Sequence, residues 1–181
     1  MKNLSASCAV LLLAASSVLA EEAPKPAPEL SQLKYFAGTW ACSGNAPASP
    51  MGPAHKTQST VTFKSDLGGF WYTAVVVEKK TAENPHPVKV MGNLGFDTKG
   101  KQILGLFVDS FGGWSTETSP GWQGDTMVWS GDQVMMGEKG GAKDTFVKKG
   151  DGEFTHKFEM SMKDQWSVIV DETCKKAGAT K

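Results

Sequence analysis

The chain has 181 residues with 19 basic and 19 acidic side chains, so its formal net charge at pH 7 is zero, and all of the basic residues are lysines. This balance, without a basic run, excludes the electrostatic footprint of a nucleic-acid-binding protein. The absence of arginine also disfavours a dedicated phosphate or carboxylate site, because bidentate binding of these anions is a property of the guanidinium group.

Residues 1–20 have the pattern of a secretory signal peptide. Lys2 precedes an apolar run from Cys8 to Ala15, and the small residue Ala20 stands at the expected cleavage position. The run is too short for a membrane-spanning helix. We therefore expect a secreted or periplasmic protein that begins near Glu21 and has no transmembrane segment in its mature chain.

Two cysteines, Cys42 and Cys174, remain after cleavage. An exported protein folds in an oxidising compartment, which favours a disulfide between them over two separate free thiols. The chain has no Cys-x-x-Cys pair, so neither a redox motif nor a thiolate zinc site is indicated.

One domain is expected over residues 29–176. Alternating prolines predict an extended tether over residues 21–28, and residues 177–181 form a short tail. Leu30, Leu33 and Phe36 are spaced three apart, which predicts one or two turns of helix with one buried face.

The rest of the domain shows short alternating runs separated by turn residues, the pattern of an all-β protein. We predict strands over residues 35–44, 55–65, 70–80, 88–96, 103–109, 126–130, 133–137, 143–149, 154–163 and 165–174. Gly131-Asp132 and Gly140-Gly141 are expected to divide strands.

The last two predicted strands indicate how the sheet closes. Between Phe154 and Met162 the even positions are apolar apart from His156, so this face should point inward. Strict alternation places Trp166, Glu172 and Cys174 on one inner face as well. A Cys42–Cys174 bridge requires the first and last strands to be neighbours, and the result is a closed antiparallel barrel of about ten strands.

Several motifs resemble a known family. Gly38-Thr39-Trp40 after a short helix resembles the opening of calycin-type barrels, such as the lipocalins and nitrobindins. The succession of Phe36–Trp40, Gly68–Trp71, Gly95–Asp97 and Phe107–Ser110 resembles the secreted family catalogued as domain of unknown function 1579, over Pro28 to Cys174. The resemblance implies a calycin-like β-barrel and brings no established activity or ligand.

His156 is the candidate for a polar site inside the barrel. Nitrobindins bind haem through a histidine near the carboxyl end, so that resemblance implies haem as a possible cofactor on His156. The other interpretations are a polar anchor for another ligand, or a core histidine hydrogen-bonded to a neighbour. No metal site and no catalytic nucleophile motif are indicated.

Five further residues are candidates for ligand contact. Phe158, Met160 and Trp166 are predicted to line an apolar pocket, although large residues also simply fill small barrels. Glu172 lies either on the inner face, where a carboxylate needs a partner, or at a solvated rim. Asp109 either contacts ligand at the barrel mouth or serves as an ordinary turn residue.

These observations predict non-enzymatic binding of a small apolar or amphipathic molecule in the barrel mouth. Three alternatives stay open: a haem-binding barrel that uses His156, an enzyme that uses His156 with Asp109 or Glu172, and a structural barrel with a filled interior.

Overall fold

The computed structural model describes residues 22–49, 51–163 and 165–178. The predicted signal peptide and its cleavage near Ala20 lie outside these residues, as does most of the predicted tail. Within the described ranges, no helix has the length and apolar character needed to cross a membrane.

The described part of the chain forms one eleven-stranded antiparallel sheet that closes on itself. Its strands are β1 (Gly38–Ala46), β2 (His55–Asp66), β3 (Trp71–Glu78), β4 (Lys89–Asp97), β5 (Gln102–Asp109), β6 (Trp114–Ser119), β7 (Trp122–Gln123), β8 (Thr126–Met135), β9 (Glu138–Lys148), β10 (Glu153–Met162) and β11 (Gln165–Lys176). The order runs from β6 down to β1 and then from β11 to β8, and pairing of β6 with β8 completes a ten-stranded barrel; the two-residue β7 pairs only with β8. The predicted all-β closed barrel is confirmed.

The seam between β1 and β11 is also as predicted. Cys42 pairs in register with Cys174, and the two form a disulfide. The first and last long strands are therefore covalently joined neighbours, which leaves neither of them as an exposed sheet edge.

A 3₁₀ helix, Pro28–Phe36, precedes β1 and closes one end of the barrel. The i, i+3 spacing of its buried residues Leu30, Leu33 and Phe36 suits a helix with three residues per turn. The Phe36 ring stacks 5.1 Å from Phe63 and 5.4 Å from Trp122, measured between ring centroids. We call this the helix end of the barrel and the opposite one the far end.

Two predicted strand breaks are wrong. Gly131 lies inside a continuous β8, and Gly140 and Gly141 lie inside a continuous β9. A Cβ atom on Gly131 would stand 1.9 Å from the carbonyl oxygen of Thr116, and one on Gly140 would stand 1.8 Å from that of Ser161. These glycines permit close approach of neighbouring strands and do not mark turns.

The predicted facing of Trp166 is wrong as well. The pairing of β10 with β11 shifts by one residue between Phe158 and Glu159, where Ile169 is the extra residue on β11. A one-residue shift exchanges the faces of every residue beyond it. Trp166 therefore lies outside the barrel with 53% of its surface exposed, whereas Glu172, on the other side of the bulge, faces inward.

The barrel interior has two halves of different character. Toward the helix end, the buried residues are apolar and largely aromatic, and include Phe36, Trp40, Phe63, Tyr72, Leu94, Ile103, Met127 and Phe154. Toward the far end, the inward positions of the same strands carry polar and ionisable side chains: Thr57, Ser59, Glu117, Gln133, Asp144, His156 and Glu172. The apolar half holds the core, and the polar half holds the inward-facing ionisable side chains.

Candidate functional site

His156 on β10 stands at the centre of the polar half, between carboxylates from its two neighbouring strands. Its Nε2 atom lies 2.5 Å from Oδ1 of Asp144 on β9, and its Nδ1 atom lies 3.2 Å from Oε1 of Glu172 on β11. The second oxygen of Glu172 accepts a hydrogen bond of 3.4 Å from the hydroxyl of Ser59 on β2. We call His156, Asp144, Glu172 and Glu117 the acidic cluster.

The two carboxylates determine the charge of His156. Burial by itself lowers the pKa of this imidazole, but the hydrogen bonds to Asp144 and Glu172 and their charges outweigh burial and raise the pKa to about 10. His156 is therefore an imidazolium at neutral pH, with both ring nitrogens acting as donors.

Glu117 on β6 is the fourth member of the acidic cluster and is only 2% exposed. Its Oε1 atom accepts a hydrogen bond of 2.7 Å from Ser115. Burial, and then the charge and hydrogen bonding of the nearby Asp144, raise the pKa of Glu117 to about 9, although Ser115 and the charge of His156 oppose this. Glu117 is a neutral carboxylic acid at neutral pH.

Some polar atoms around the cluster have no hydrogen-bond partner among the described residues. They are Oε2 of Glu117, Nε2 of Gln133 and Oγ1 of Thr57, all on buried, inward-facing side chains. Buried polar groups are rarely left without a partner in folded proteins, because an unmade hydrogen bond costs about 1–3 kcal/mol. The far-end half therefore has capacity for further polar contacts.

Aromatic rings border the acidic cluster. Phe146 stacks on the His156 ring at 4.6 Å between centroids with an interplanar angle of 12°. Phe107 packs edge-on against Trp129 at 6.5 Å, and both rings lie over Gly105, the β5 residue paired with Glu117. Polar groups beside aromatic walls are the usual composition of a small-molecule site.

Solvent reaches this half of the barrel. The side chains of His156 and Asp144 are each 17% exposed, although both point inward. At the rim of the far end, Nε2 of His55 on β2 lies 3.8 Å from Oε1 of Glu78 on β3. A small cavity of about 60 Å³ opens beside Met160, Met162, Gln165 and Ser167, and a groove of about 320 Å³ lies along the ends of β1 and β2.

The bonds already made by the described residues limit how they could ligate a metal ion or haem iron. Cys42, Glu172 and Cys174 are the only described trio of such residues whose potential ligand atoms come within 4.8 Å of one another. The two sulfur atoms are bonded to each other, so they are not thiolate ligands. Both nitrogens of His156 contact carboxylates, so ligation of haem iron would require one of these contacts to break.

Comparison with known proteins adds family membership. The profile of the family described as Protein of unknown function (DUF1579) matches residues 25–176. The chain belongs to the DUF1579 family. This confirms the resemblance drawn from the sequence motifs, and the family description names no activity.

A solved structure shares the DUF1579 barrel fold seen here. The crystal structure of Rv2717c from M. tuberculosis superposes with a TM-score of 0.66 at 15% sequence identity, covering 84% of this chain and 99% of that one. At this identity the similarity shows the fold alone. A search of curated proteins found no match.

The structure brings the predicted site residues His156 and Glu172 into contact and places Phe158 beside them. The other predicted site residues, Asp109, Met160 and Trp166, lie elsewhere. His156 and Glu172 are in direct contact, and Glu172 is buried, so the interior alternative for this carboxylate holds and the solvated rim does not. Asp109 instead caps the turn after β5, where its Oδ1 atom accepts hydrogen bonds from the backbone N–H groups of Phe111 and Gly113.

The three apolar residues predicted to line a pocket lie in different places. Phe158 is half-buried one inward position beyond His156 on β10, in register with Asp144. Met160 is buried and borders the small cavity at the far end. Trp166 packs over Gly141 on the outer surface, with the ammonium of Lys143 5.5 Å from its ring centroid.

Sequence reasoning missed Asp144 and Glu117. Asp144 carries a usable signal, because it alternates with Ala142 and Phe146, which both face inward on β9. The sequence around Glu117, in contrast, gives a misleading signal. On β6, Ser115, Glu117 and Ser119 face inward while Trp114 is 46% exposed, so the polarity of the strand is opposite to what its composition indicates.

Proposed function

We propose that the protein binds a small amphipathic molecule in the far-end half of the barrel, with the polar group of the ligand on the acidic cluster. The observation that carries this proposal is a set of buried polar atoms, on Glu117, Gln133 and Thr57, that have no partner among the described residues. They surround a charged histidine that solvent reaches. A ligand that supplies these hydrogen bonds makes its binding free energy more favourable, because each buried polar atom then has a partner.

A purely apolar ligand fits this half less well. It would displace water from the carboxylates of Asp144 and Glu172 without replacing the lost hydrogen bonds, which is costly for charged groups. An amphipathic ligand avoids this cost, because its polar end meets the cluster while its apolar part packs against Phe107, Trp129 and Phe146.

Native mass spectrometry of the protein purified from its own host tests the proposal. We expect a bound small molecule on the wild type, and loss of that molecule in Glu172→Gln and His156→Ala. Glu83→Gln and His86→Ala are matched controls, because both of these residues are exposed, and they should retain the ligand. Circular dichroism of each variant checks that the barrel is folded.

The alternatives give different results in the same experiment. A barrel with a filled interior would carry no ligand in any variant, and this would contradict the proposal. Haem is added separately to the wild type and to His156→Ala. A Soret band that requires His156 would favour the haem alternative, and the absence of such a band would remove it.

A further inference from the structure

The acidic cluster has more carboxyl groups than cations. Glu117, Asp144 and Glu172 converge from three strands on the single imidazolium of His156. No described lysine forms an ion pair with any of these three acids. The lysine ion pairs of the described residues involve Glu22, Glu153 and Glu159 instead.

Glu117 is the member whose bonding is incomplete. Its Oε2 atom is buried without a partner among the described residues. The titratable groups that face it are Asp144 on β9 and His156 on β10. The flanking strands β5 and β8 place only Gly105 and Gly131 beside it in register, so no side chain from either strand competes for this oxygen at that level.

We propose that the ligand site of the proposed function, on which this inference rests, takes a protonated primary amine that binds between Glu117 and Asp144, in place of the hydrogen bond that joins these two carboxyl groups. An ammonium group donates three hydrogen bonds, which suits the free oxygen of Glu117 and the adjacent carboxylate. The aromatic rings of Trp129 and Phe107 over Gly105 supply further attraction for a cation and an apolar wall for its carbon chain.

Binding of the amine is coupled to release of one proton. In the free protein the carboxyl group of Glu117 is protonated at neutral pH, because its pKa is raised to about 9. When the ammonium arrives, the O–H bond of Glu117 breaks and its hydrogen bond with Asp144 is lost. The proton passes to solvent, and the ammonium takes its place and forms an ion pair with the resulting carboxylate. No other covalent bond changes, and charge is conserved.

Isothermal titration calorimetry with three six-carbon probes tests this inference. We expect n-hexylammonium to bind at least about tenfold more tightly than n-hexanol or hexanoate, because only the ammonium gains an ion pair inside the barrel. Between pH 6 and 8 its Kd should fall by up to about tenfold per pH unit, as expected for release of one proton. Titration in two buffers of different ionisation enthalpy counts that proton directly.

Glu117→Gln provides the decisive variant. Glutamine has the shape of the protonated acid and cannot ionise, so the variant should keep its fold, bind hexylammonium at least about tenfold more weakly at pH 8, and lose both the pH dependence and the proton release. Glu83→Gln, at an exposed position, should behave as the wild type.

The outcomes separate the two proposals. Binding of hexanol or hexanoate as tight as that of hexylammonium would overturn the amine inference and leave the proposed ligand site standing. Unchanged binding by Glu117→Gln would also overturn the inference. If none of the three probes binds, the amine inference fails, and the native mass spectrum of the purified protein decides separately whether the barrel holds a different molecule.

Discussion

At the scale of single residues, His156 and Glu117 each hold a proton that the unfolded chain would release. Folding raises the pKa of His156 from 6.5 to about 10 and that of Glu117 from 4.5 to about 9. The causes differ. Burial lowers the pKa of His156, but the neighbouring carboxylates outweigh burial and raise it. For Glu117, burial is the largest cause of the raised pKa. Both groups make the native barrel bind more protons than the unfolded chain.

This predicts that the protein loses stability as pH rises above neutral. A group whose pKa is raised by folding contributes fully below its unfolded pKa and loses its contribution as pH approaches the folded value. Between pH 7.5 and 9 both groups act together, so the free energy of unfolding should fall by up to about 3 kcal/mol per pH unit, with half of this fall from each proton. Urea denaturation across this range measures the slope.

Glu117→Gln is the control for this prediction. The variant cannot take up the extra proton at position 117, so its slope should be about half that of the wild type. A free energy of unfolding that stays constant or rises between pH 7.5 and 9 would contradict the proton assignment of both residues.

At the scale of elements, glycines inside strands allow the barrel to close. The final pairing, of β6 with β8, brings Gly131 against the backbone of Thr116 and Glu117. The same pairing holds Glu117 in the interior, close to Asp144 and His156. The close approach of these two strands therefore serves both closure and the candidate site.

Gly131→Ala should destabilise the barrel. The added methyl group would stand 1.9 Å from the carbonyl oxygen of Thr116, and this backbone atom cannot rotate away as a side chain would. We expect a loss of about 1–3 kcal/mol in the free energy of unfolding. At Gly152 a methyl group meets no atom of the described residues within 4 Å, so Gly152→Ala should stay within about 0.5 kcal/mol of the wild type. Equal stabilities of the two variants in urea would contradict this account.

The bulge in β11 is the second feature that acts at this scale. By inserting Ile169 into the pairing with β10, it turns Trp166 outward while leaving Glu172 directed at His156. Alternation alone predicts both side chains inside. A bulge depends on the partner strand and on local twist, so the residues of β11 by themselves do not reveal it.

At the scale of the whole molecule, the disulfide joins the beginning of the barrel to its end. It links residues separated by 132 positions in the chain and lies between β1 and β11, which pair directly. A cross-link over so long a loop strongly restricts the unfolded ensemble. The bond therefore contributes to the stability of the entire barrel, beyond the packing of its two sulfur atoms.

Removal of the disulfide should lower the free energy of unfolding by about 4–5 kcal/mol on the chain-entropy estimate. The double variant Cys42→Ala, Cys174→Ala should match the wild type in the presence of a reductant, and both should unfold at lower urea concentration than the oxidised wild type. If mass spectrometry of the oxidised protein shows that both thiols can be alkylated, then the disulfide does not join β1 to β11.

Four features could be predicted from the amino-acid sequence: the fold class, the short helix before β1, the disulfide and the inward position of His156. These follow from local periodicity, from the spacing of Leu30, Leu33 and Phe36, and from the presence of two cysteines after the predicted cleavage. Each of these signals is carried by residues close together in the chain or by residues with few possible partners.

The composition of the acidic cluster could not be predicted from the sequence, because it depends on how distant strands pair. Asp144, His156 and Glu172 come from three adjacent strands, and Glu117 reaches them only because β6 pairs with β8. Register and bulges set which face each side chain occupies, and both depend on backbone pairing between distant segments. Charged residues inside a barrel also reverse the usual polarity pattern, so the sequence pattern does not reveal the polar half of the interior.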